Sequence, residues 1–147
     1  MENVIRLQPK SDTTHYFISL LEKLHHLEER LDHLHIPRHI GNLKLNVGNT
    51  IKIISFDEIL RIEADGNYTK VILDSGQSIL VSKTLKAIFS QLPKEGFIRS
   101  HQSHVVRTSS ISEACFGSES YLRLKEGSSI PIAMSKKKYL KSVISSF

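Results

Sequence analysis

Six polar side chains crowd into nine positions of the stretch FIRSHQSHVVR, Phe97 to Arg107: Arg99, His101, Gln102, Ser103, His104 and Arg107. Donors at that density suit an anion or a nucleic acid, since cationic groups bond phosphate oxygens and an amide can bond the edge of a base. Only Phe97, Ile98, Val105 and Val106 can anchor the stretch, which therefore reads as a polar connection tied down at its two ends. A second cationic cluster, Lys136-Lys137-Lys138, opens a segment whose Tyr139, Leu140, Val143 and Ile144 fall at helical spacing. Lysines in a first helical turn oppose the helix dipole, so a phosphate from outside the chain would supply the missing counter-charge.

Other chemistries find less support. Neither GxxxxGK[ST] nor GxGxxG occurs, and Glu63 and Asp65, though close in sequence, show no sign of an acid/base pair. A single cysteine, Cys115, excludes an internal disulfide and a CxxC zinc site, and in its SEACFGS setting it reads as a small buried hydrophobe. His25, His26, His33 and His35 include no i, i+4 pair with a glutamate base, so they read as solvated helix residues. No catalytic group, metal or cofactor is implied, and a binding module fits better than an enzyme.

Charge is unevenly distributed. Residues 1–40 carry 5 Lys+Arg against 6 Asp+Glu, whereas residues 41–147 carry 15 against 9. The second part is the cationic one, which favours polyanionic partners. No apolar run approaches the roughly 20 residues needed to span a bilayer, and the first eleven residues lack the apolar core of a secretory signal. The chain reads as cytoplasmic.

The elements that must position these residues fall into two parts. In residues 1–40, a helix capped near Ser11-Asp12-Thr13 carries Phe17, Leu20, Leu24, Leu27, Leu31 and Leu34 at spacings of 3, 4, 3, 4, 3. That is a heptad seam, with Lys23 at g and Glu28 at the following e, a pair that attracts across a parallel dimer. The reading is a coiled-coil segment that makes a homodimer, set against a helix packed on its own domain. Pro37 ends it, and residues 38–42 make a hinge. From residue 41 to 147 the period becomes alternating. Strands are predicted around Leu43–Val47, Thr50–Ile54, Arg61–Ala64, Tyr68–Leu73 and Ser78–Ser82, with hairpin turns at Gly48-Asn49, Asp65-Gly66-Asn67 and Asp74-Ser75-Gly76. One helical turn is predicted at Phe56–Leu60, and Leu85, Ile88, Phe89 and Leu92 predict a short helix over Thr84–Leu92. Strands follow at Ile111–Phe116, Tyr121–Lys125 and Ser129–Ala133, and a C-terminal helix from Ser135.

Taken in order, IISFDEILRIEADGNYTKVIL, SKTLKAIFSQL, FIRSHQSHVVR and YLRLKEGSSIPIAMSKKKYLKSV resemble the LytTR-type DNA-binding domain of bacterial response regulators. The resemblance covers about Leu43 to Phe147 and rests on the IEADGNY turn, the F-x-R-x-H-x-S block at Phe97 to Ser103 and the G-x-x-I-P-I strand from Gly127. It implies a mostly β domain of ten or so short strands in stacked antiparallel sheets with one inserted helix, whose loops enter successive major grooves of bent duplex DNA. By the same resemblance, Thr69, Gln102, Ser135 and Lys136 would contact bases. Lys70, Arg99, His101, Ser103, Arg107, Lys137 and Lys138 would contact the DNA backbone or position the loops. The chain departs from the family at Ala133-Met134, where Ser-Arg is common, and at Arg107, where Asn is common; Met134 is read as a packing residue. Forty residues are too few for the receiver domain often found upstream, so the resemblance is to a stand-alone regulator with a helix in the receiver's place; the heptad seam from Phe17 to Leu34 is then expected to pair two copies on double-stranded DNA with repeated half-sites. The main competing reading is a protein-interaction scaffold assembled through that helix. Single-strand binding would need exposed stacking aromatics, for which only Tyr68, Tyr121 and Tyr139 offer themselves.

Overall fold

The computed structural model describes residues 11–33 and 40–147, with side chains described for 13–30 and 40–147. Contacts divide the chain into two units, Met1–Pro37 and Arg38–Phe147. In the first, helix α1 runs Ser11–His33 without an internal glycine or proline, as its leucine- and glutamate-rich composition favours. Its seam is open to solvent: Phe17, Leu20, Leu24 and Leu27 are 64%, 40%, 54% and 52% exposed. Tyr16 and Leu21, at the flanking g and e positions, are exposed as well. The Leu31 side chain, Leu34 and the stop at Pro37 lie outside the described residues.

The second unit is built from ten short strands in three antiparallel sheets. Strands β1 (Asn42–Val47) and β2 (Thr50–Ser55) form a two-stranded ribbon, closed by the predicted Gly48-Asn49 turn. A single 3-10 turn, Phe56–Glu58, leads into β3 (Ile59–Asp65), and β4 (Tyr68–Leu73) returns beside it. The Asp65–Tyr68 pair closes a two-residue turn whose first member, Gly66, sits at φ +59, a conformation that such turns demand. Next comes β5 (Ser78–Val81), and then helix α2 (Leu85–Phe89), capped by Thr84, whose hydroxyl accepts from the Ala87 N–H.

Strands β6 (Phe97–His101) and β7 (His104–Arg107) complete a five-stranded sheet in the order β5-β4-β3-β7-β6. Here the structure corrects the sequence reading. The supposed polar connection is a hairpin whose turn is only Gln102 and Ser103, because its four apolar residues are not end anchors but the buried parts of two strands. Strands β8 (Ile111–Phe116), β9 (Ser120–Leu124) and β10 (Ser129–Pro131) make the third sheet. A 3-10 turn at Met134–Lys136 precedes helix α3 (Lys137–Ile144).

The five-stranded sheet is the middle layer. Successive side chains of a strand point to opposite faces, so adjacent apolar residues feed two different cores. Ile62, Val71, Phe97 and Val105 join the ribbon and α2 in one cluster. Leu60, Ile98 and Val106 join the third sheet and Leu140 of α3 in the other. A layer packed on both faces holds the strands whose ends its turns join. Cys115, in β8, is half-buried rather than fully so. Among the described residues, no helix is long and apolar enough to cross a membrane.

Candidate nucleic-acid interface

Three turns meet at one end of the middle sheet: the β3–β4 tip, the β6–β7 turn and the turn before α3. Two backbone hydrogen bonds join them. Ala64 N–H donates to the Ser103 carbonyl at 2.9 Å, and Ala133 N–H donates to the Ser100 carbonyl at 2.8 Å. The second bond exists because β6 bulges between Arg99 and His101, leaving Ser100 unpaired with β7. Its carbonyl is thereby free for the segment that follows β10.

A cleft opens between the second and third turns, lined by Arg99, His101, Gln102, Ala133, Ser135 and Lys136. Gln102 and Ser135 are exposed and Lys136 half-exposed, so the predicted base-contacting side chains of these two turns share one concave surface. His101 and Ser103 sit beside them and are tied together, the Ser103 N–H donating to His101 Nδ1 at 3.1 Å. Arg99 Nη2 donates to the Gln102 carbonyl at 2.8 Å. Lys138 is exposed, and Lys137 donates its ammonium to the Gly117 carbonyl at 2.8 Å.

Thr69 is not part of this surface. It is fully buried, and its hydroxyl donates to the Lys83 carbonyl at 2.6 Å, so its side chain cannot reach a base edge in this fold. The signal was available: Thr69 alternates with Val71, which places both on the core face of β4. At that tip Asp65, Asn67 and Tyr68 are the exposed side chains, and Tyr68 is 50% open. Arg107 is displaced from the surface too. It lies at the far end of β7 from Gln102, where its guanidinium donates to the Asp57 carbonyl and to Asp74 at 2.9 Å. That positive charge serves to hold the fold. Met134, read as packing, is 93% exposed.

Sequence reasoning also missed a polar row on the face of the sheet behind the tips. Arg61 bonds Glu63 at 2.6 Å, and in strand register Glu63 stands between Lys70 on β4 and His104 on β7. Lys70 also lies 3.9 Å from Asp65. The hydrogen bond from Arg61 holds the Glu63 carboxyl below the usual range, outweighing the opposing effect of burial. Burial pushes His104 down, more than the nearby Glu63 raises it, and its Nδ1 is buried without a hydrogen-bond partner among the described residues.

Both shifts act in one direction. With a folded pKa depressed below 6.5, His104 resists a proton that the unfolded chain accepts, so stability falls as pH drops from 6.5 toward its folded value. Glu63 contributes stability above 4.5 that is lost as pH falls through its lower folded pKa. Thermal melts are therefore expected to show a falling midpoint from pH 7 to 5, flattened in His104→Asn, and a further fall below pH 4.5 that Glu63→Gln lacks. A wild-type midpoint unchanged between pH 7 and 5 contradicts the first step.

Comparison with known proteins adds the family. The sequence profile described as the LytTr DNA-binding domain matches residues 49–145, more than half of the chain. The sensory transduction protein LytT of Bacillus subtilis (strain 168) is 36% identical over 104 residues, which are 69% of this chain and 43% of that protein. The chain thus spans less than half the length of that relative. A solved LytTr DNA-binding domain from a methyl-accepting/DNA response regulator of Bacillus cereus superposes with a TM-score of 0.62 over 72% of this chain and 98% of that one. At 21% identity that likeness speaks to the fold.

Proposed function

The chain belongs to the LytTr DNA-binding domain family, and from that premise we propose that it is a sequence-specific regulator of transcription that grips double-stranded DNA with the three joined turns. The observation that supports this reading most is the pair of backbone hydrogen bonds, Ala64 to Ser103 and Ala133 to Ser100, which put the turns along one edge. In this reading turns so arranged face one side of the duplex and insert into its major grooves. Gln102 can bond adenine N6 and N7, Lys136 can reach guanine O6 or N7, and Ser135 can bond either edge. Asn67 and Tyr68 take the role that burial denies Thr69. Lys70, His101, Ser103, Lys137 and Lys138 meet the phosphates. Helix α3 starts at Lys137 with no side-chain cap and no acid in its first turn, so a phosphate there supplies the counter-charge its lysines lack.

In this reading two copies pair through the open seam of α1 and occupy repeated half-sites. Lys23 at g and Glu28 at e match a second copy of the same helix, which is why a second copy is the occupant proposed. In this reading the protein acts in the cytoplasm, on double-stranded DNA, and performs no catalysis of its own. An interaction scaffold built on α1 is the second reading, favoured by that exposed seam, but it leaves the cationic turns without a role.

Two variants test the grip. Gln102→Ala is expected to cost about 1–3 kcal/mol on a duplex selected from a random library and little on random duplex. Lys138→Ala is expected to weaken both alike and to lower the magnitude of the slope of log affinity against log salt by about 1. Equal losses on selected and random duplex for Gln102→Ala would show that Gln102 reads no base. Absence of duplex binding by the wild type at low salt sinks the reading altogether.

A further inference from the structure

The β6–β7 turn has only two residues, and its backbone is tied on three sides. The Ser103 N–H is held by His101 Nδ1, the Ser103 carbonyl by Ala64 N–H, and the Gln102 carbonyl by Arg99 Nη2. What remains open to solvent is the Gln102 side chain. The guanidinium meets the Gln102 carbonyl at 2.8 Å from a half-buried site, and Arg99 Nε is buried with no hydrogen-bond partner among the described residues. Arginine suits this use because its planar fork arrives pre-oriented, whereas a lysine ammonium swings on a flexible stem. The bulge completes the arrangement. It turns the Ser100 carbonyl toward Ala133, so the residue before Ser100 fixes the second turn while Ser100 itself fixes the third.

We infer that Arg99 is a positioning residue, which by clamping the Gln102 carbonyl sets the direction of the Gln102 side chain relative to Lys136 and so governs which base pair is accepted. This rests on the reading of Gln102 as a base contact, yet the clamp itself can be tested without DNA. The two roles open to Arg99 differ in what they leave behind. A phosphate anchor, once removed, weakens every duplex equally and flattens the salt dependence. A positioning residue erases discrimination and spares the salt slope.

The experiment measures wild type, Arg99→Ala, Arg99→Lys, Gln102→Ala and the Arg99→Ala/Gln102→Ala double variant on the selected duplex and on one altered at the base pair Gln102 reads, across a salt series. Arg99→Ala is expected to lose the discrimination that Gln102→Ala loses, roughly 5- to 150-fold. The double variant is expected to lose no more than either single one, because the two act as a unit. The salt slope stays at the wild-type value. Arg99→Lys keeps the charge and is expected to lose discrimination by at least about threefold, for want of the fork. In free protein, amide exchange at Ser103 is expected to quicken in Arg99→Ala. A slope lowered by about 1 with discrimination intact overturns the inference in favour of a phosphate anchor. A uniform loss with slope and discrimination intact makes Arg99 merely structural and overturns it as well. Unchanged exchange at Ser103 overturns the clamp, whereas quickened exchange in a protein that binds no duplex overturns the DNA reading and leaves the clamp standing.

Discussion

Leu24→Glu is expected to convert a dimer into a monomer in sedimentation at micromolar concentration, and to weaken binding to a duplex with two half-sites by about 10²–10⁴-fold while leaving a single half-site unaffected. Leu24 occupies the central a position of the seam on α1, and within the chain it is 54% exposed. In a parallel pair, residues at a face their own copies, so the substitution sets two carboxylates against each other in an apolar seam. Removing such charges from water costs several kcal/mol per ion, more than a seam of two and a half heptads can offset. An exposed position makes no contribution to the β unit's core, so the thermal midpoint of that unit should not move. The two half-sites then bind independently, and the advantage of linkage disappears. High salt should weaken the wild-type dimer slightly by screening Lys23 against Glu28. A wild-type chain that sediments as a monomer, unchanged by Leu24→Glu or Leu31→Glu, sinks the pairing. A dimer that survives both places the contact elsewhere.

What the sequence disclosed, and what it withheld, follows from the range of the interactions concerned. Turns and caps are local chemistry. Gly48, Gly66 and Gly76 mark the first three hairpins, Thr84 caps α2, and each was legible because the residue that needs the special conformation supplies it. Heptad spacing in α1 is equally local. The direction of a side chain in a strand is nearly so, and Thr69 could have been assigned to the core from Val71 beside it. The fate of Arg107 was beyond reach. Its partners, Asp57 and Asp74, lie fifty and thirty-three residues away, and nothing in VVR separates an arginine that holds a turn from one that meets a phosphate. The bulge at Ser100 was hidden for a similar reason, since it appears only when β6 is set against β7. Of the residues that line the candidate surface, Gln102 and Lys136 stood out by residue type, whereas Ser135 came only from the resemblance. The backbone bonds that join the turns of that surface, Ala64 to Ser103 and Ala133 to Ser100, are pairings that no local pattern encodes.

Leu140→Ala is expected to lower the stability of the β unit by about 2–5 kcal/mol, the usual cost of emptying a fully buried leucine site. At about 4–8 °C per kcal/mol for a domain near this size, the midpoint falls by an amount on the order of 10 °C or more. Leu140 is fully buried against the third sheet, and it is the one residue of α3 that is. An eight-residue helix is too short to persist in water alone, and α3 also begins with lysines that oppose its dipole. Docking must supply what propensity does not. With Leu140 cut back, Val143 and Ile144 keep only partial cover, and the end of the helix that faces the proposed phosphates loses its anchor. Affinity for selected and random duplex should therefore fall together even at temperatures where the sheets remain folded, a loss that Lys138→Ala reproduces only in small part and without a change in midpoint. Amide exchange along 137–144 separates the two effects, since it should quicken in Leu140→Ala and not in Lys138→Ala. A Leu140→Ala midpoint within two or three degrees of wild type, on a scale where each kcal/mol is worth about 4–8 °C, would mean that α3 is held by something other than its buried leucine.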